Sequence, residues 1–389
     1  MTQPINSNRI EVVDALRGFA IMAIILLHNV EHFDLYSFPD SLPLSIKILD
    51  KHIWYSIFFL FSGKVYSIFS ILFGFSFFIM YNNQLQNGYD IRWRFVWRLF
   101  ILLGFGIINS ILFEGDMLTF YAVLGISLVL VGRLNTRIVL VILIILLLQP
   151  LEWAKCIYLY AHHDLAPPHN ISDLYFAKTL PALKGHSFWE LAKENLWNGR
   201  VAVILWSSEN GRFFQAPALF MIGLLLGRLS RFVFTPSSIR FWKRTLILSI
   251  IGVIPLFFIR QSLGSIVHLT SLRPSIFIVM HTLYNTLFTF AIIASFVLLY
   301  RTSFANRILK PLSVFGKMSL TNCIIQSILG ISIYYGFGLS MYKFAGASYS
   351  LLIGVVLIIL QFSFCKWWLK HHQQGPLEYL WHKATWLGR

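Results

Sequence analysis

Long apolar runs separated by short polar breaks make up most of the chain. They cover about 12–34, 53–81, 95–113, 117–132, 137–152, 213–231, 244–261, 274–300, 311–336 and 347–369. A helix of about 20 apolar residues spans a bilayer's hydrocarbon core. Lipid leaves backbone polar groups no partner but each other, so helices and closed barrels alone can cross it. The pattern therefore predicts an all-α fold, a polytopic membrane bundle of about ten transmembrane helices. Residues 1–389 are read as a single transmembrane domain. The second run is interrupted at Ser62-Gly63-Lys64, the third and fourth are joined by Glu114-Gly115-Asp116, and Pro150 closes the fifth. Residues 153–212 read as a polar loop. It holds His162, His163, His169 and His186, taken as surface residues, and an amphipathic run from Phe188 to Trp197.

The first run differs from the others because ionisable residues sit at both its ends. Asp14 and Arg17 lie at its start, and His28, Asn29, Glu31 and His32 near its far end. Eleven residues at ~100° each are about three turns, so Arg17 and His28 point to nearly the same side, roughly 16 Å apart along the axis. His32 follows His28 at i+4, which on a continuing helix is the same face. Ionisable groups inside a membrane segment are costly, face protein or water, and mark candidate sites.

Composition supports the membrane reading. The 389 residues are 57% hydrophobic and 12% charged, against about 25% charged in soluble domains. The net charge of +16 is no nucleic-acid signature, because the basic residues flank apolar runs as topology signals do. With ten spans, twenty of the 32 Lys and Arg residues fall on one side. That bias puts both termini in the cytoplasm and the 153–212 loop outside, in a multi-pass protein of the cell membrane. Cys156, Cys323 and Cys365 are widely spaced and suggest no disulfide framework. No P-loop, nucleophile elbow or metal-ligand spacing is present, so no metal is expected.

The polar residues left inside the runs are the candidates for chemistry. His28 has the ordinary pKa of a general base; a histidine bonded to a carbonyl or to Asn29 is the plainer alternative. Arg17 suits phosphate recognition, since guanidinium binds phosphate through parallel hydrogen bonds; a snorkelling anchor is its alternative. Asp116 either orients a histidine or caps a helix. Lys64, Tyr121, Asn322 and Gln326 complete the set. Arg212 and Gln215, and the stripe His281, Tyr284 and Asn285, read as polar positions facing the bundle interior.

Six ordered motifs carry a resemblance. Arg9-Ile-x-x-x-Asp14-Ala-Leu-Arg17-Gly opens the chain, and Gly63-Lys64-Val-Tyr-Ser follows. Gly115-Asp116-Met-Leu-Thr-x-Tyr121 stands in the middle and Phe220-Met-Ile-Gly before Arg228. Gly316-Lys-Met-Ser-Leu-Thr321-Asn322-x-x-x-Gln326 comes late, and Gly375-Pro-Leu-Glu378 near the end. Together they resemble the YeiB-like family, domain of unknown function 418. That family resembles transmembrane acyl transferases, among them acyltransferase family three and heparan-glucosaminide acetyltransferase. Their first helix pairs Leu-Arg-Gly with a polar residue eleven positions after the Arg, here His28. YeiB-like proteins more often carry Asn at that place.

The resemblance implies an acyl transferase, acetyl in the first instance. Cytoplasmic acetyl-CoA or another acyl-CoA would be co-substrate, with no permanently bound cofactor. The acceptor would be a carbohydrate or a lipid-linked molecule on the outer side. On this reading His28, His32 and Asp116 are catalytic, Arg17 and Lys64 hold the acyl-CoA, and Asn29, Tyr121, Asn322 and Gln326 orient substrate. The partners are the lipid bilayer and these substrates, with no nucleic acid; a second copy of the chain stays open. The alternative from another class is a transporter or exporter of a small or lipid-linked molecule, since protonatable His and Asp in a cavity also serve proton coupling.

Overall fold

A computed structural model describes residues 10–39, 42–162 and 170–387. Arg9, His163 and His169 lie outside the described residues. Among those described, all regular structure is helical. The helices are α1 (Glu11–Val30), α2 (Leu44–Phe61), α3 (Lys64–Gln86), α4 (Arg92–Leu112), α5 (Leu118–Leu124), α6 (Ile126–Val131) and α7 (Thr136–Leu147). Next come α8 (Pro150–Ala161), α9 (Ile171–Lys184), α10 (Phe188–Glu194), α11 (Arg200–Glu209), α12 (Arg212–Arg228), α13 (Pro236–Gln261) and α14 (Leu263–Ile266). The last are α15 (Arg273–Tyr300), α16 (Ser303–Leu309), α17 (Ser313–Gly316), α18 (Ser319–Tyr334), α19 (Ala347–Trp368) and α20 (Pro376–Thr385).

The apolar helices are those of a multi-pass membrane protein. Among the described residues, five stretches are long and apolar enough to cross a membrane, and seven if each of two bent pairs counts as one span. The expected count was about ten. Three of the ten runs depart from straight, full-length helices for local reasons. The fourth run is split at Gly125, and its apolar helical stretch, Leu118–Val131, is only about 21 Å long at 1.5 Å per residue. The fifth ends at Leu147; Pro150 opens α8 instead of closing a span, and α7 and α8 meet at 42°. Proline lacks an N–H and has a helical φ, which suits the first turn of a helix. The ninth is bent by 80° between α17 and α18. There Glu378 accepts hydrogen bonds from the Leu320 amide (2.5 Å), the Thr321 amide (3.0 Å) and the Thr321 hydroxyl (2.6 Å). A carboxylate on free amides at a helix start supplies the partners that the first turn lacks. Two motifs far apart in sequence thus meet to start α18.

The break at Ser62-Gly63 is as expected. Leu44–Gln86 as one straight helix would be about 65 Å long, twice a hydrocarbon core. Gly63 takes φ +74°, a conformation other residues rarely adopt, and separates α2 from α3. The described residues of the 153–212 stretch form α8 to α11 and a π-helical turn at Asn195–Gly199. Of the run expected to be amphipathic, Leu191, Ala192 and Asn195 are buried while Trp189, Leu196 and Trp197 are exposed, so one face is buried but the exposed face is not polar.

α1 is central. It packs against α3, α17 and α19, and thirteen of its residues are buried. α3 lies along α12, where Gly74 faces the Phe220 carbonyl and Gly223 the Ile71 carbonyl with no room for a side chain. Small residues permit this close backbone approach.

Candidate functional site

One face of α1 lines a cavity of about 560 Å³. Asp14, Arg17, Ile21 and Ile24 contribute from α1, and His28 is one turn beyond Ile24 on the same stripe. At one end are Arg17, Arg98, Lys317, Trp381 and Trp386; at the other are Tyr66, Met117, Tyr121 and Gln326. The walls between are apolar, with Phe69, Leu72, Phe73 and Leu102 among them. Arg17 donates to Asp14 (3.1 Å) and to Ser76 Oγ (3.0 Å). α20 covers the basic end: Trp381 Nε1 donates to the Arg98 carbonyl (3.0 Å), and the Arg98 guanidinium stacks 3.7 Å from the Trp381 ring. Among the described residues, the Gln326 Oε1 and Tyr66 hydroxyl are buried without a hydrogen-bond partner.

Past the inner end, Arg212 lies over the Tyr66 ring at 4.7 Å and reaches Met117 Sδ at 3.8 Å. Beyond it stand His28, Glu31 and Asp34, whose ligating atoms all lie within 4.8 Å of one another. His28 Nδ1 is 3.3 Å from Glu31 Oε2, and Phe113 and Phe33 flank the imidazole at 5.1 and 5.6 Å. Burial, with Glu31 beside it, pushes the Asp34 carboxyl up to about 7. Burial, with Asp34 nearby, pushes Glu114 up to about 8. The donor set of one imidazole and two carboxylates could hold a divalent ion, which the sequence spacing did not suggest. On a continuing helix Asp34 at i+6 would point ~120° away from His28. The chain instead leaves the helix after Val30, and positive φ at His32, Phe33 and Asp34 folds it back.

That same turn separates the two histidines. His32 is not on the His28 face, because α1 has ended. Its ring bonds the Ser37 carbonyl (2.9 Å) and Ser350 Oγ (2.8 Å) and stacks on Tyr334. Asp116 is likewise engaged elsewhere. It accepts from Asn109 (2.8 Å) and from the Thr119 amide and hydroxyl (3.0 and 2.9 Å), with Arg200 at 3.8 Å. This is a cap for the start of α5 rather than a support for His28. Lys64 is not beside Arg17. It starts α3, twelve residues or roughly 18 Å from the Ser76 that Arg17 touches, and its ammonium faces Phe59, Tyr284 and Phe288.

The orienting candidates divide. Tyr121 and Gln326 line the cavity, and the Tyr121 hydroxyl donates to the Tyr66 carbonyl (3.0 Å). Asn29 donates to the Ile25 carbonyl (2.7 Å) and accepts from the Tyr334 hydroxyl (3.1 Å). Asn322 accepts from Cys365 Sγ (3.3 Å). Both hold helices together and neither lines the cavity. Sequence reasoning missed Glu31 and Asp34 as neighbours of His28. The available signal was their acidic character beside a histidine at the end of the one ionisable-rich run.

Residues 226–388 match the model of the family described as Protein of unknown function (DUF418). The chain is 26% identical to YxaH of Bacillus subtilis (strain 168) over 99% of its own length and 96% of that protein. It is 24% identical to a 39.9 kDa protein from the amylase 3' region of Bacillus acidopullulyticus, over 97% of the chain and 94% of the relative. A 70-residue stretch, 18% of each chain, is 34% identical to YeiB of Escherichia coli (strain K12). The YeiB-like resemblance of the motifs therefore stands. No solved structure matches.

Proposed function

We propose that the protein is a membrane-embedded acyl transferase that takes acyl-CoA into the α1 cavity from its basic end and passes the acyl group to an acceptor at His28. The observation that carries this reading is the single stripe of α1 that joins Arg17, at the basic end of the cavity, to the His28–Glu31 pair beyond its inner end. Arg17, Arg98 and Lys317 supply charge for the phosphates of CoA. The apolar walls accept the pantetheine arm and acyl chain, and Gln326 and Tyr66 offer unpaired polar atoms near the inner end.

In this scheme the His28 Nδ1–H is donated to Glu31, which fixes the tautomer and leaves Nε2 to accept a proton. Nε2 takes the proton of an acceptor hydroxyl or amine as its heteroatom attacks the thioester carbonyl. The carbon–sulfur bond breaks, and the CoA thiolate leaves and is reprotonated from the imidazolium. No covalent enzyme intermediate is needed. The basic cavity end faces the cytoplasm, and the acceptor approaches the other end of α1.

The assay is CoA-thiol release from acetyl-CoA by the purified protein with membrane-lipid or carbohydrate acceptors. His28→Ala should abolish acceptor-dependent release. Equal release by His28→Ala would remove the proposed base. Proton-coupled transport is the second reading, favoured by the Asp34 and Glu114 carboxyls, which burial beside other carboxylates raises above the usual carboxylate range. It predicts proton uptake with solute in liposomes and no thiol release.

A further inference from the structure

Away from the α1 cavity, three helices bring together basic side chains with no acidic partner. Lys64 begins α3, Arg260 stands at the end of α13, and His281 lies on α15. The Lys64 ammonium and the Arg260 guanidinium share one aromatic ring, Tyr284, at 5.4 and 4.6 Å. Lys64, Arg260 and Arg212 are the charged groups that act on His281. No carboxylate pairs with Lys64, Arg260 or His281 among the described residues, and Lys64 is only 4% exposed. A buried charge without a counter-charge is expensive, and proteins normally pair it. Cation–π contacts with Phe59, Tyr284 and Phe288 offset part of that cost but supply no negative charge.

One further polar atom points to a missing acceptor. Among the described residues the Tyr284 hydroxyl is buried and has no hydrogen-bond partner. Asn285 Nδ2 is 3.1 Å from His281 Nε2 and lies against Gly63, where a side chain would collide with it. Lys64, Arg260 and the Tyr284 hydroxyl are donors, which suits an oxyanion. The surroundings say how that anion is carried. Phe59 and Phe277, beside Lys64 and Arg260, are large, exposed and apolar, as are Leu60 on α2 and Ile254 and Phe258 on α13, the surface a membrane helix shows to lipid.

We propose that Lys64, Arg260, His281 and Tyr284 form a binding site for the phosphate of an anionic lipid headgroup, with the acyl chains lying on the exposed faces of α2 and α13. The site stands independently of acyl transfer. If transfer is also right, it lies toward the acceptor end of α1, since Arg212 acts on both His281 and Asp34.

Native mass spectrometry of the full chain in detergent, titrated with phosphatidylglycerol, tests this. Diacylglycerol of the same chains is the control, and a melting curve with inorganic phosphate is a second arm. The parent should bind phosphatidylglycerol well above diacylglycerol. Lys64→Gln and Arg260→Gln should each weaken that binding roughly tenfold to a hundredfold, the range for a charge-assisted hydrogen bond. Lys243→Gln, a basic change elsewhere on α13, should leave it unchanged. Without lipid, Lys64→Gln should melt no lower than the parent, because removing an uncompensated buried charge relieves desolvation. Phosphate stabilisation lost in both variants, without lipid selectivity, would assign the same site to a free anion. Equal binding of phosphatidylglycerol and diacylglycerol with no phosphate effect, or binding unchanged in both variants, would overturn the proposal. Should Lys64→Gln fail to purify, the half-buried Arg260→Gln and a Lys64→Arg variant carry the same comparison.

Discussion

At the residue scale, the account turns on what His28 touches. Its Nδ1 meets Glu31 at 3.3 Å, and two phenylalanine rings flank the imidazole. A positioned base contributes ~10²–10⁴-fold to a proton-transfer step, so His28→Ala should lose transfer by that factor while expression and melting stay near the parent. His28→Asn, the residue more usual among YeiB-like proteins, is the sharper form; full activity there would make His28 an orienter. Glu31→Gln should lower the turnover number less than His28→Ala and move the pH profile, because it alters the partner of Nδ1 and not the base. The Asp34 and Glu114 carboxyls give a second expectation. Their folded values, about 7 and about 8, lie above those of the unfolded chain. Between ~4 and those values the folded state binds more protons than the unfolded one, so stability falls as pH rises through this window. Melting temperature should drop from pH 5 to pH 8, and Asp34→Asn with Glu114→Gln should flatten the curve. Sequence spacing made the Arg17–His28 stripe legible, because a helical period carries over eleven residues. It could not reveal Asp34 beside His28, or His32 turned away, because both depend on where α1 stops and on the left-handed turn that follows.

At the element scale, two contacts organise the site. α3 and α12 approach at Gly74 and Gly223, with backbone carbonyls where side chains would stand. Gly223→Leu should therefore destabilise the detergent-solubilised protein by several degrees or more, through overpacking, whereas Gly104→Leu, which has open space, should not. α20 covers the basic end of the cavity through Trp381 and through Glu378 on the start of α18. Glu378→Gln keeps the shape but loses the charge on that helix start, and should lower the melting temperature. Most apolar runs were legible as helices from hydropathy alone. The helices of 153–212 were not, because α9 to α11 are short, mixed in composition and held by tertiary contacts such as the Gly336 amide to the Leu183 carbonyl (2.9 Å). The kink between α17 and α18 was hidden for the same reason: its cap, Glu378, comes from 58 residues away.

At the scale of the whole molecule, the arrangement is a basic-ended cavity and a polar cluster joined along one helix. The apolar runs made the membrane class legible, but not the number of crossings. Length and hydropathy cannot separate a helix that spans from one that is kinked or buried within protein, as at Gly125 and at the 80° bend before Ser319. The orientation proposed from Lys and Arg bias puts α20 on the cytoplasmic side and Gly185 outside. Reporter fusions at those two places should report opposite compartments; the same compartment would contradict it. The central claim, that acyl-CoA occupies the α1 cavity and is held at its basic end, is tested most directly by calorimetry of acetyl-CoA with the purified protein in detergent. The account predicts saturable binding, weakened roughly tenfold to a hundredfold by Arg17→Ala, the range for loss of a charge-assisted phosphate contact, and unchanged by His28→Ala. No binding by the parent, or binding indifferent to Arg17→Ala, would contradict it.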